Sequence, residues 1–213
     1  MMMRACAIAI AVAAAACSSG KGAEPTVGEG RLLFEDDFER ESLGSSWLDT
    51  SDGRYRIVDG RLRAAGAHNH PLWLRRELPR DARVEFVASS ASPAVDIKVE
   101  LFGDGRSHAR KASYVATSYV VILGGWNNTR SIIARMDEHG DGRVSREDLR
   151  GEPDREYRFS VVRKEDKLIW KLDGEEFLTL EDDEPLAGAG HEHFAFNNWE
   201  SEVYFDDLAV YEI

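Results

Sequence analysis

Four groups of residues in this sequence carry side chains suited to chemistry, and each has a plain structural use beside the functional one. Val95-Asp96-Ile97-Lys98-Val99-Glu100-Leu101 alternates strictly, so as a strand it presents Asp96, Lys98 and Glu100 on one face and aliphatics on the other. Paired carboxylates are what glycoside hydrolysis requires, but residues four apart on a strand lie about 13 Å apart, beyond the roughly 5 to 9.5 Å between catalytic carboxyls. Asp96 or Glu100 could therefore act only with a further acid from a neighbouring strand, or with His193, as general acid and base. The structural use is a solvated strand face on which Lys98 offsets its acidic neighbours. Gly124-Gly125-Trp126-Asn127-Asn128 and Phe196-Asn197-Asn198-Trp199-Glu200 each end a strand with a tryptophan beside two asparagines. An indole covers the apolar face of a sugar ring while amides donate to and accept from its hydroxyls, so Trp126, Asn127, Asn128, Asn197, Asn198 and Trp199 are candidate glycan contacts. Core tryptophan and turn asparagine are the alternative. Trp73, flanked by Leu72 and Leu74, is a weaker candidate.

Histidine and acidic clusters complete the set. His68-Asn69-His70 and His191-Glu192-His193 have the spacing that places two imidazoles about 6 to 7 Å apart along a strand, and two converging pairs could hold zinc, although His68-Asn69-His70-Pro71 reads more as a loop than a strand. His193 is better placed as a polar ligand contact on the face it shares with Asn197. Asp137 to Asp148 resembles a calcium loop, with Asp137, Asp141 and Asp148 at positions one, five and twelve and Gly142 at six. Against it, His139 stands where an oxygen ligand belongs, and Gly151 and Pro153 leave no room for an exiting helix. An acidic hairpin is the alternative.

The elements that must position these residues are strands. From Leu32 onward no stretch sustains a helical apolar period, and short alternating runs bounded by Gly, Asp and Pro recur at close spacing. Tyr55–Val58 and Arg61–Arg63 flank Asp59-Gly60, and Leu168–Leu172 and Glu175–Leu180 flank Asp173-Gly174; both pairs predict tight hairpins, because Asp-Gly accepts the positive φ of a two-residue turn. Further strands are expected at 72–78, 82–88, 94–102, 113–123, 131–136, 157–163, 191–197 and 202–213. About a dozen strands imply two packed antiparallel sheets. The fold class is all-β.

The N-terminus speaks to location. Met1 to Arg4 is short and basic, and Ala5 to Ala16 is apolar but too short for a permanent span, so residues 1–16 read as a signal peptide. Cys17 follows Ala14-Ala15-Ala16, which resembles the bacterial lipoprotein processing box, with Ala14 where leucine is usual. The resemblance implies acylation of Cys17, palmitate among the chains, and an envelope protein anchored in the membrane by its N-terminal lipid; Ser18, rather than Asp, directs it to the outer membrane under the sorting rule of enteric bacteria. Ordinary cleavage after Ala16 is the alternative. Residues 17–30 are polar and Gly-rich, a tether, and 31–213 form one domain of sizeable core. Removing residues 1–16 takes away Arg4 and Cys6, moves the net charge from −12 to −13, and leaves no disulfide. So acidic a surface repels nucleic acid and leaves neutral glycans, cations and basic proteins as partners.

Phe34-Glu-Asp-Asp-Phe38 with Leu43-Gly44 and Trp47, then Val58-Asp-Gly-Arg-Leu62, Trp170-Lys-Leu-Asp-Gly174 and Val203-Tyr-Phe-Asp-Asp-Leu-Ala-Val-Tyr211, resemble the concanavalin A-like lectin/glucanase (LamG-like) domains over Leu32 to Ile213. The resemblance implies a two-sheet jelly-roll sandwich whose first and last strands adjoin, with ligands on the concave sheet. By analogy with calcium-stabilised members, Asp36, Asp37, Asp206 or Asp207 could hold a structural calcium. The Glu-x-Asp-x-x-Glu strand motif of many glucanases is absent. The expected function is a non-catalytic carbohydrate-binding domain that needs no cofactor; a glycoside hydrolase or polysaccharide lyase, and a structural lipoprotein without a small ligand, are the alternatives.

Overall fold

The computed structural model describes residues 30–110 and 114–213. The expected signal peptide, Cys17 with its expected lipid, and all of the expected tether except Gly30 lie outside them. Among the described residues fifteen strands and one helical turn are formed: β1 Arg31–Asp36, β2 Trp47–Asp49, β3 Tyr55–Val58, β4 Arg61–Ala65, β5 Leu72–Glu77, β6 Ala82–Ser90, β7 Ile97–Gly103, β8 Tyr119–Gly124, α1 Gly125–Asn128, β9 Arg130–Arg135, β10 Arg143–Arg146, β11 Tyr157–Lys164, β12 Lys167–Leu172, β13 Glu175–Glu181, β14 His193–Asn197 and β15 Glu202–Glu212. They make two antiparallel sheets. The back sheet runs β13-β12-β11-β6-β15-β4-β3, with β1 also on β15, and the front sheet runs β10-β9-β8-β7-β14-β5-β2.

Both Asp-Gly hairpins form as expected. Asp59 and Gly60 have φ of 51° and 72°, Asp173 and Gly174 of 53° and 88°, and β3–β4 and β12–β13 pair across them. The first and last strands meet as expected: Phe34 lies opposite Val210 and Asp36 opposite Leu208. Asp36 is not available to calcium, however, because its carboxylate accepts from the Arg40 guanidinium, the Trp47 indole at 2.8 Å and the Phe38 amide at 3.0 Å. Those partners also hold the carboxyl below its usual range, overcoming a burial that alone would raise it.

The core lies between the sheets and is aromatic at its centre. Phe196 on β14 contacts the rings of Phe38, Trp47, Phe86, Phe194 and Phe205, and Phe86, Phe159 and Trp170 stack in series behind it. The expected strands at 94–102 and 113–123 begin late. Val95 and Asp96 take φ of 56° and 49°, so β7 starts at Ile97, and β8 starts only at Tyr119. Tyr114 and Ala116 instead lie over the outer face of the front sheet, against Val120, Ile122, Ile132 and Ala134.

Candidate binding cleft

The front sheet's outer face is built by alternation. On β7 the aliphatics Ile97, Val99 and Leu101 enter the core, which turns Lys98 and Glu100 outward. The expected solvated face is not what they meet: Lys98 and Glu100 are fully buried, Glu100 beneath the segment carrying Tyr114 and Ser118 and Lys98 against Asn69 and Glu138. Glu100 accepts from Asn197 at 2.6 Å, Ser118 at 2.6 Å and Tyr114 at 3.1 Å to each oxygen. Lys98 donates to Asn69 at 2.7 Å and pairs with Glu138 at 2.5 Å. Asn197 also reaches the Asn69 carbonyl at 3.4 Å. One continuous polar chain, Glu138-Lys98-Asn69-Asn197-Glu100-Tyr114, thus underlies this end of the sheet. Burial lifts the Glu100 carboxyl to about 7, against the pull of its hydroxyl and amide donors and of Lys98.

Above this floor opens a cleft of about 630 Å³ whose lining includes Trp126, Asn127, Tyr114, Asp96, Glu138 and Trp199. The two tryptophan clusters, 73 residues apart in sequence, therefore meet at one site. Among the described residues four large apolar side chains are exposed, Leu32, Val115, Trp199 and Ile213. Two of them, Val115 and Trp199, line this cleft.

Left-handed backbone shapes its rim. Gly124, Trp126, Asn127 and Asn128 have φ of 70°, 52°, 57° and 59°, so α1 is a left-handed turn rather than a regular helix. Such dihedrals cost a bulky residue about 1 to 3 kcal/mol and persist only where the surroundings enforce them. Here Asn128 enforces them: its amide donates to the Gly151 carbonyl at 2.7 Å and accepts from the Gly151 amide at 2.8 Å. Val95, itself left-handed, packs where side chains on Gly124 or Gly151 would stand; a Cβ there would come within 2.9 or 2.8 Å of it. Opposite, His68 and Asn69 donate their backbone amides to the carbonyls of Trp199 and Asn198 at 3.0 and 2.9 Å, and the His68 ring meets the Trp199 indole edge-on at 4.8 Å. Asn128→Ala strands two backbone groups of Gly151, so it should cost about 1 to 3 kcal/mol. Chemical denaturation will check this; an unchanged midpoint would mean that the clamp is idle.

The remaining candidates divide clearly. Asp96 is half-buried on the cleft wall; burial raises its carboxyl, opposed by Lys98 and then reinforced by Glu138. Asn127 is exposed at the rim. Asn197 is spent in the floor. Asn198 is buried, accepting from the Ala67 amide at 3.2 Å and donating to the Ser201 carbonyl at 2.7 Å, so it holds a turn instead of facing ligand. Asn128 is likewise the clamp just described. His193 does not share the cleft with Asn197: a register shift follows it on β14, its Nδ1 meets the Leu74 carbonyl at 2.9 Å, and its ring packs under Gly105. The histidine pairs do not converge, since His191 bonds the Thr117 carbonyl while His70 stacks on His108. Trp73 is buried, donating to the Ser107 carbonyl at 2.9 Å.

The calcium loop is corrected too. Residues 137–142 cap a β9–β10 hairpin in which Arg146 lies opposite Ser131. Asp148 is thereby carried past the far end of β10, away from the turn that holds Asp137. It pairs with Arg146 at 2.7 Å, and Asp137 caps the His139 amide at 2.9 Å. Among the described residues no group of three or more His, Cys, Asp or Glu could hold a metal ion. Sequence reasoning passed over Asn69, Tyr114, Glu138 and Glu200, which come from loops with no periodic pattern.

No family model matches the sequence, and no curated protein matches it. Solved structures do. A Bacillus subtilis protein of unknown function with a galectin-like fold superposes with a TM-score of 0.68 at 14% identity, over 85% of this chain and 96% of that one. The chain has a galectin-like jelly-roll fold. The exoplasmic/lumenal domain of VIP36, solved in a Ca²⁺/Man3GlcNAc-bound form, matches this jelly roll with a TM-score of 0.64 at 9% identity over 86% and 90% of the two chains. The laminarinase catalytic domain of Thermotoga maritima matches with a TM-score of 0.57 at 13% identity over 86% and 98%.

Proposed function

We propose that this protein binds a glycan in the cleft between Trp126 and Trp199, without cleaving it, while held on the bacterial envelope, in the outer membrane, by a lipid at Cys17. The observation that carries the binding is the meeting of two partly exposed indoles over one cleft of sugar-binding size. A mannose-containing ligand in VIP36 and the laminarinase activity named for the Thermotoga domain agree with a carbohydrate role for the jelly roll. Supporting the non-catalytic reading, Glu100 lies beneath Tyr114 and Ser118 with both carboxylate oxygens occupied. His193, packed against Gly105, is no acid or base for this cleft.

Trp126→Ala and Trp199→Ala should each weaken binding of a glycan found by screening at least about tenfold, since one aromatic platform is worth on the order of a kcal/mol or more. Calorimetry on the folded variants reads this, and unaltered affinity in both would remove the cleft from consideration. A second reading, glycan cleavage, has one observation in its favour: Asp96 and Glu138 line the same wall, and burial raises the Asp96 carboxyl. Release of reducing ends or unsaturated sugars from the bound glycan, lost in Asp96→Asn, would establish it. For the anchor, Cys17→Ala should abolish incorporation of labelled palmitate and move the protein from the membrane to the soluble fraction; persistent labelling would count against the assignment.

A further inference from the structure

We propose that the cleft selects glycans bearing protonated amino groups, a poly-glucosamine type of ligand, over neutral, N-acetylated or acidic ones; this rests on the glycan-binding reading above. The lining holds four carboxylates, Asp96, Asp137, Glu138 and Glu200, against a single lysine. Lys98 is fully buried and its charge is committed to Glu138 at 2.5 Å. Asp137 and Glu200 thus face the ligand space without a lysine or arginine paired to them, and Asp96 feels Lys98 without forming an ion pair with it; the basic group beside Glu200 is the His68 imidazole at 3.5 Å.

The aromatic side of the site favours the same sign. An indole face attracts cations through its quadrupole, and the protein already uses Trp126 so, with the guanidinium groups of Arg130 and Arg143 at 5.6 and 5.8 Å from its ring. Trp199 is 42% exposed and carries only an edge-on histidine. A sugar ammonium entering between Trp199 and the Asp96–Glu200 side would meet both an indole and carboxylates. A uronate or sulfate ester would meet repulsion from the same groups. The raised Asp96 carboxyl agrees with this, because Glu138 and Glu200 both add to its burial, and an incoming cation would relieve them.

The experiment is calorimetry on the full chain in detergent micelles, at low salt and just below neutral pH, with three β-1,4-linked hexamers: glucosamine, N-acetylglucosamine and glucose. The glucosamine hexamer should bind at least about tenfold tighter than the other two, a preference that salt reduces. Glu200→Gln and Asp96→Asn should each shrink that ratio by about threefold or more. Glu85→Gln on the back sheet, which changes the net charge equally, should leave the ratio intact. Equal or tighter binding of either uncharged hexamer would overturn the charge assignment while leaving a glycan site. An equal loss in Glu200→Gln and Glu85→Gln would overturn it as general charge attraction. Binding of none of the three would overturn it as well, and only a failed broad glycan screen would take the parent reading with it.

Discussion

Phe196→Ala should destabilise the domain by about 3 to 5 kcal/mol, the range for removing a buried phenylalanine from a packed core. Phe196 is fully buried at the middle of β14, with ring centroids of Phe205, Phe194, Trp47, Phe86 and Phe38 at 4.3, 4.9, 5.5, 5.7 and 6.1 Å. These partners come from both sheets and from the segment after β1, so no single strand can close the void by shifting. The backbone at Phe196 also receives the Tyr55 hydroxyl at 3.2 Å, which ties the edge of the back sheet to the centre of the front one. Chemical denaturation reads the loss as a lower midpoint at unchanged slope. Leu32→Ala, at an exposed position, should stay within about 0.5 kcal/mol. A loss below about 1 kcal/mol for Phe196→Ala would show that the two sheets do not depend on this cluster.

The second large effect is a dependence of stability on pH that traces to one carboxyl. Glu100 binds its proton more tightly in the folded chain, with burial holding it at about 7, than its ordinary 4.5 allows in the unfolded chain. The folded state therefore holds more of this proton between those values. Stability linked to Glu100 is full below about pH 4.5 and is lost as pH rises toward 7, by about 3 kcal/mol in all. Glu100→Gln has no proton to lose. The stability difference between wild type and Glu100→Gln should accordingly drift by about 3 kcal/mol between pH 4.5 and 7.5, in the direction that penalises wild type at high pH. A difference that stays flat across that window would mean that solvent reaches the carboxyl and that the polar floor is not closed.

Much of the fold could be read from residue patterns, because strand alternation and Asp-Gly turns are local and obey short-range sterics. Tyr55 to Arg63 and Leu168 to Leu180 are hairpins for reasons contained within themselves. The jelly roll was implied by the family resemblance of pieces that include Phe34–Phe38 and Val203–Tyr211, which pair as β1 and β15. What local pattern could not supply was the fate of the outward faces. Asp96, Lys98 and Glu100 alternate as a solvated strand would, yet a segment 14 to 18 residues further on lies across Glu100, and Lys98 is taken up by Asn69 and Glu138. Nothing in the spacing of Tyr114 or Ser118 announces that cover.

The tryptophan clusters show the same division. Trp126 and Trp199 do meet, but of the asparagines beside them only Asn127 stays at the rim. Asn128, Asn197 and Asn198 are consumed in holding Gly151, Glu100 and the turn after β14. An amide has donors and an acceptor to satisfy wherever it lies, so sequence marks it as polar without saying which partner it takes. The His-x-His pairs and the acidic loop misled for a related reason. Their spacings suit a metal only if the ligands converge, and here His68 and Asn69 lie in a left-handed turn, His191 and His193 bond different carbonyls, and the acidic loop is the tip of a hairpin.

The most direct test of the central claim is a glycan-array screen of the full chain beside the Trp126→Ala/Trp199→Ala double variant, with thermal unfolding recorded for both proteins. A defined glycan class bound by the wild type and lost in the folded double variant is the predicted result. A glycan bound equally by both proteins, or no glycan bound by the wild type, would contradict a sugar site in this cleft.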